Sequence, residues 1–214
     1  MTDFLLVPGA GCDSGYWHLV VDRLQQLGHR GVPVQLPCDD DSAGLDVYAG
    51  CILDAARGLD EPVIVAHSFG GFSAALAAAR MPTRLLVYSS AMIPAPGERG
   101  SDWFAHTGWQ AASDDFASLF YSDIEPREKA STFERRQSDT PGSEPWPLSE
   151  LPAVPTRAIA FADDRFFPID FMNTVIADRL GVTPDIVPGG HLAMISHPDE
   201  LASRLVSYLQ PRHP

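Results

Sequence analysis

Ser68 stands in the run Val63-Ile64-Val65-Ala66-His67-Ser68-Phe69-Gly70-Gly71, where an apolar strand passes through a small-x-Ser-x-Gly-Gly turn into an Ala-rich helix. A serine on so sharp a strand-to-helix turn has its Oγ lifted clear of the sheet, where it can act as a nucleophile. The turn requires small neighbours because strand and helix backbones nearly touch there, and Ala66 and Gly70 are small. Ala66 departs by one methyl group from the Gly that usually holds the first small position. A Gly-containing turn that happens to carry a serine has the same local signature, so partners must be sought elsewhere in the chain.

A serine hydroxyl is a poor nucleophile until an imidazole takes its proton, and the imidazole works only when a carboxylate holds it in the right tautomer. Two loops after apolar runs supply these groups: Phe161-Ala162-Asp163-Asp164-Arg165-Phe166-Phe167-Pro168 and Pro188-Gly189-Gly190-His191. The order Ser, Asp, His, each directly following a strand, is what the serine turn predicts. Most of the seven histidines are demoted by position. His18 and His29 belong to the first helix and its end, His197 to the start of the last helix, and His213 to the tail. His67 adjoins Ser68, but neighbouring side chains on a strand point opposite ways, so it is expected to pack or hydrogen-bond beneath the turn. Only His191 follows a strand through two glycines, which permit a tight loop that swings an imidazole back over the sheet edge. His106 is a second candidate for contact with substrate, from above.

These groups need a frame. Residues 4–7, 31–36, 63–66, 85–88, 157–161 and 185–187 read as buried strands, and residues 17–27, 45–59, 70–80, 169–180 and 199–209 carry apolar residues at helical spacing. The alternation implies an α/β fold: a six-stranded, mostly parallel sheet with helices on both faces. Right-handed crossovers then bring all the strand C-termini to one rim, where distant loops converge. Residues 92–152 break the rhythm and read as a small inserted cap above that rim. Its aromatics are Trp103, Phe104, Trp109, Phe116, Phe120, Tyr121, Phe133 and Trp146, most of which are expected to form the cap's own core. Trp103, Phe104 and Trp109 are the candidates to line a substrate cavity, joined by Phe166 after the fifth strand and by Leu192 beside His191.

With the serine turn, the acid loop and the His loop in this strand-helix order, the chain resembles the α/β-hydrolase superfamily over nearly its whole length, as a small esterase-like member with a short cap. In that superfamily the acid commonly stands four residues before a proline that opens the next helix, which implies Asp164 with Pro168, and leaves Asp163 as the alternative. The other acid position follows the fourth strand, where Ser89-Ser90-Ala91-Met92 carries no carboxylate. Acyl transfer also needs donors for the oxyanion. One is the N–H of Phe69, at the start of the helix after Ser68. The resemblance implies the N–H of Ala10 as the second, from Val7-Pro8-Gly9-Ala10-Gly11-Cys12; Pro8 replaces the His that usually braces this loop. Cys12 reads as a plain loop residue.

The implied reaction is hydrolysis of a small apolar or aromatic carboxylic ester through an acyl-enzyme on Ser68, with no cofactor and no metal. A serine nucleophile argues against the dehalogenase and epoxide-hydrolase branches, which use a carboxylate. Within the more similar branch of methyl esterases and hydroxynitrile lyases, lyases place Lys after the catalytic His and commonly Thr in the oxyanion loop. Leu192 and Ala10 here favour the esterase. A lactonase, a thioesterase or a hydrolase of carbon-carbon bonds would use the same triad, and some superfamily members are ligand-binding proteins with little turnover.

Composition bounds the rest. The 214 residues suit one domain, 1–214, with its cap at about 92–152. Fifteen Lys and Arg against 28 Asp and Glu give a net charge of −13, which repels nucleic acid and anionic membranes. A small-molecule ester is the expected partner. Three cysteines, an odd number without metal-ligand spacing, and a start at Met1-Thr2-Asp3-Phe4 without a basic or long apolar leader suggest a reduced, cytoplasmic protein. No run approaches the roughly 18 apolar residues of a membrane span.

Overall fold

Alternate positions of the strands divide the core between the two faces of one sheet. In the computed structural model, which describes residues 1–125 and 131–210, the strands are β1 (Asp3–Val7), β2 (Arg30–Pro33), β3 (Val63–Ser68), β4 (Leu85–Ala91), β5 (Thr156–Phe161) and β6 (Asp185–Val187). Their order is β2-β1-β3-β4-β5-β6 and every pairing is parallel, so the sheet expected to be mostly parallel is wholly so. Phe4, Leu6, Val63, Val65, Leu85, Val87, Ile159 and Phe161 face one core, with Val20, Leu24, Leu201 and Leu205 of α1 (His18–Gln26) and the C-terminal helix. Leu5, Val7, Ile64, Ala66, Leu86, Tyr88, Ala158 and Ala160 face the other, under α2 (Leu45–Ala55) and α3 (Gly70–Ala78). Burial on both faces is why these strands read as continuous apolar runs. The second strand is shorter than its sequence suggests: its paired residues end at Pro33, whose nitrogen faces the open edge, and one further hydrogen bond, Val34 N–H to Leu6 O at 2.9 Å, closes the ladder.

Between β4 and β5 the chain leaves the sheet, and its described residues include the short helices α4 (Gly100–Thr107), α5 (Phe116–Phe120) and α6 (Thr140–Ser143). Its returning arm crosses to the loops after β1 and β2: Arg135 N–H donates to Gly11 O, Asp13 N–H to Phe133 O and Ser138 N–H to Cys38 O, each at 2.7 Å. Glu98, buried near the root of this segment, accepts from both Nη atoms of Arg179 at 2.9 and 2.8 Å. Arg179 belongs to α7 (Ile169–Leu180); α8 (Ala193–Ser196) and α9 (Pro198–Ser207) complete the chain. Of the positions singled out above, residues 126–130 of the expected cap and His213 lie outside the described residues. Among the described residues no helix is long and apolar enough to cross a membrane, and no three His, Cys, Asp or Glu side chains group to hold a metal.

Candidate active site

Ser68 ends β3 with φ at +50°, a left-handed conformation that costs a non-glycine residue about 1–3 kcal/mol. The surroundings hold it there. Met92 N–H donates to Ser68 O at 2.9 Å, and the glycines that follow admit two flanking loops. A Cβ on Gly70 would stand 2.3 Å from Pro8 O, and one on Gly71 would stand 2.0 Å from Met92 O. The small residues are thus demanded by the loops after β1 and β4 as much as by the turn itself.

The neighbouring strand makes its own adjustment. Pairing between β3 and β4 slips after His67, which opposes Ser89, to Ser68, which opposes Ala91. Ser90 is the extra residue, with φ at +42°, and a bulge of this kind re-aims a side chain. Its Oγ donates to Asp164 Oδ2 at 2.6 Å. The other carboxylate oxygen, Oδ1, accepts the N–H of Phe166 at 2.9 Å and of Phe167 at 2.8 Å.

So fixed, Asp164 accepts from His191 Nδ1 at 2.8 Å through its Oδ2, both side chains being fully buried. With Nδ1 protonated, Nε2 is left as an acceptor, and it lies 3.2 Å from Ser68 Oγ. The structure therefore brings Ser68, His191 and Asp164 together from the ends of three strands. Asp163, the alternative, is exposed and turned to Gly189, exchanging hydrogen bonds with that residue's backbone at 3.0 and 3.3 Å. Phe120, Phe166 and Phe167 present their rings edge-on to His191 at 5.0, 4.9 and 5.2 Å, which screens the imidazole from water.

Ser68 and His191 open onto a cavity of about 310 Å3. Its walls are mostly apolar, from Phe69, Met92, Phe104, Phe120, Phe166 and Leu192, with Gln137, Ser138, Asp139 and Ser143 on the side of the returning arm. Ala10 and Phe69 both border it. The amides on either side of Ala10 are taken: Gly9 N–H donates to Tyr16 Oη at 3.1 Å and Gly11 N–H to Gln137 Oε1 at 2.8 Å. These bonds brace the loop that carries Pro8. Cys12 also borders the cavity, but burial, then Cys38 and the Glu134 and Asp13 carboxylates, push its thiol up to about 12.

Phe104, Phe166 and Leu192 line the cavity. Trp103 and Trp109 do not. Trp103 is fully buried behind the wall, its Nε1 donating to Ile93 O at 3.0 Å, and its ring packs on Phe104 and Phe167. Trp109 donates from Nε1 to Phe166 O at 2.6 Å and packs at a tilt behind Phe104 and Phe166. An indole needs a partner for its N–H, and backbone carbonyls behind the wall supply one in each case. His106 is likewise engaged away from the cavity, with Glu98 at 3.0 Å. Sequence reasoning missed Phe120 as a lining residue; Phe116, one turn earlier on the same face of α5, stays half exposed at the rim with its ring 6.4 Å from Phe166. Nothing local marked Met92, Gln137 or Ser138.

Comparison with known proteins fits this architecture. A model of the alpha/beta hydrolase family matches residues 4–204. The probable esterase PIR7A of Oryza sativa subsp. indica is 34% identical over 107 residues, 44% of this chain and 41% of that protein, so the chain aligns to well under two thirds of that relative's length. Among solved structures, polyneuridine aldehyde esterase superposes with a TM-score of 0.84 at 20% identity, covering 98% of this chain and 100% of that one. A pyrethroid hydrolase from Sphingobium faniae JZ-2 gives 0.77 at 22% identity, covering 97% and 96%. Such low identities speak to the fold alone, and the family match carries the assignment: the chain belongs to the alpha/beta hydrolase family.

Proposed function

We propose that the protein is a serine hydrolase that cleaves small apolar or aromatic carboxylic esters through an acyl-enzyme on Ser68, in one hydrolase domain whose 92–152 segment forms the cap. The observation that carries this reading is the unbroken relay from Asp164 to His191 to Ser68, at 2.8 and 3.2 Å, on the floor of an apolar cavity.

In this reading His191 Nε2 takes the proton of Ser68 as Oγ bonds to the ester carbonyl carbon. The negative charge that develops on the carbonyl oxygen is met by the N–H groups of Ala10 and Phe69, and the latter adds the favourable end of a helix dipole. His191 then returns the proton to the departing alcohol. Water, activated by the same imidazole, cleaves the acyl-enzyme. Asp164 holds the tautomer throughout and stabilises the imidazolium. The apolar walls favour substrates without charge on the acyl side, and the esterase names of the rice relatives agree with the ester bond as target.

A fluorophosphonate probe tests the reading. Wild-type protein should be labelled and Ser68→Ala should not; labelling of neither leaves a ligand-binding protein as the better description. Turnover of p-nitrophenyl acetate and benzoate above that of long-chain esters is expected from a cavity of this size, and faster turnover of the long chains would count against the small-substrate assignment.

A further inference from the structure

Beneath Ser68 lies a second imidazole for which the chemistry above has no use. His67 is fully enclosed, between Tyr16, from the 3-10 turn Ser14–Trp17, and the backbone of His191. Its Nε2 is 2.9 Å from His191 O, and a carbonyl oxygen can only accept, so Nε2 carries the ring proton. Nδ1 is then an acceptor, and the Tyr16 hydroxyl, 3.0 Å away, donates to it. That uses the hydroxyl's one proton and leaves its oxygen to accept, which it does from Gly9 N–H at 3.1 Å. Each bond dictates the next, and a single proton arrangement satisfies every group.

We propose that Tyr16 and His67 are positioning residues, a neutral bridge that fixes the loop bearing Ala10 against the loop bearing His191 so that oxyanion donor and base stay in register about Ser68. This rests on the catalytic reading of Ser68 and His191. Gly9 immediately precedes Ala10, and the carbonyl that His67 holds is that of His191 itself, so the bridge grips both loops at the residues that matter. Misplacement of such groups by about 1 Å can cost 10²-fold in rate. Burial holds His67 well below the usual imidazole range and Tyr16 well above the usual phenol range, so both stay neutral and the donor pattern does not invert near neutral pH. The same bridge braces the loop that carries Pro8, through Gly9 N–H.

A packing role would need only the rings, since Tyr16 also packs at a tilt against Trp17, ring centroids 5.2 Å apart. Tyr16→Phe keeps the ring and deletes the hydroxyl, and His67→Gln can still offer an N–H toward the His191 carbonyl while His67→Leu cannot. With p-nitrophenyl acetate, Tyr16→Phe should lower kcat by on the order of tenfold with KM within about twofold, less than the 10²–10³ expected on losing an oxyanion donor outright. His67→Leu should lose at least as much, and His67→Gln should recover part of it. Wild-type kcat in Tyr16→Phe, or equal losses in the Gln and Leu variants, would overturn the bridge. Should His67→Leu fail to fold, Tyr16→Phe decides alone. Fluorophosphonate labelling of the wild type separates the two levels: no labelling removes the catalytic reading, whereas a labelled wild type with an unaffected Tyr16→Phe removes only the bridge.

Discussion

Phe166 serves Asp164 and the cavity at once: its N–H binds Asp164 Oδ1 at 2.9 Å, while its ring stands edge-on to His191 at 4.9 Å and lines the pocket. The carboxylate that binds His191 and the wall of the cavity therefore belong to one tight loop. The backbone half of this arrangement survives mutation of the side chain, so the two contributions can be separated.

Phe166→Ala removes a ring stacked on Phe120 at 4.3 Å and backed by Trp109 at 5.1 Å. A stability loss of about 3 kcal/mol is expected, measurable by denaturant titration. Because the amide to Asp164 remains, the p-nitrophenyl series should shift toward longer acyl chains through kcat/KM. An unchanged chain-length preference would show that Phe166 does not bound the acyl site.

Asp164→Asn and Asp163→Asn should behave differently although the residues are adjacent. The first places an amide against His191 Nδ1 and favours the wrong tautomer, for which a kcat loss on the order of 10⁴-fold is expected. The second alters an exposed side chain bonded to Gly189 N–H at 3.3 Å and should stay within a few-fold of wild type. Comparable losses in both would mean that the acid role is shared.

Thiol reagents should leave the proposed ester turnover intact. Burial raises all three cysteines, Cys12 to about 12, so the nucleophilic thiolate is scarce at pH 8. Incubation with iodoacetamide followed by an ester assay checks this. Rapid inactivation that disappears in Cys12→Ser would show that the cavity thiol is reactive.

His67 makes stability depend on pH with a definite sign. Burial first, and His191 second, hold its imidazole well below the unfolded value of about 6.5. Below that pH the unfolded chain binds a proton that the folded protein refuses. Its contribution is thus fully present above about pH 6.5 and is lost as pH falls, by up to about 1.4 kcal/mol per pH unit. Melting temperatures of wild type and His67→Gln between pH 7 and 5 should converge as pH falls. Parallel curves would mean that His67 is protonated in the folded protein.

The sheet and its rim were legible in the chain because doubly buried parallel strands leave continuous apolar runs, as in Val63-Ile64-Val65-Ala66, and because the groups at strand ends follow them directly. Ser68 and His191 could be placed from such local context, and so could the pair Asp163 and Asp164. Which aspartate meets His191 is settled by the turn that gives Asp164 the amides of Phe166 and Phe167, together with the bulge that aims Ser90 at it.

Other contacts depend on long-range docking and leave no local mark. Gln137 reaches Gly11 across 126 residues, and His67 meets the His191 carbonyl across 124. Trp103 and Phe104 are adjacent aromatics with equal claim to the cavity by composition, yet α4 turns one into the core and the other toward Ser68. A helix sends neighbouring side chains about 100° apart, and only its packing against Phe167 and Phe171 determines which direction faces the pocket.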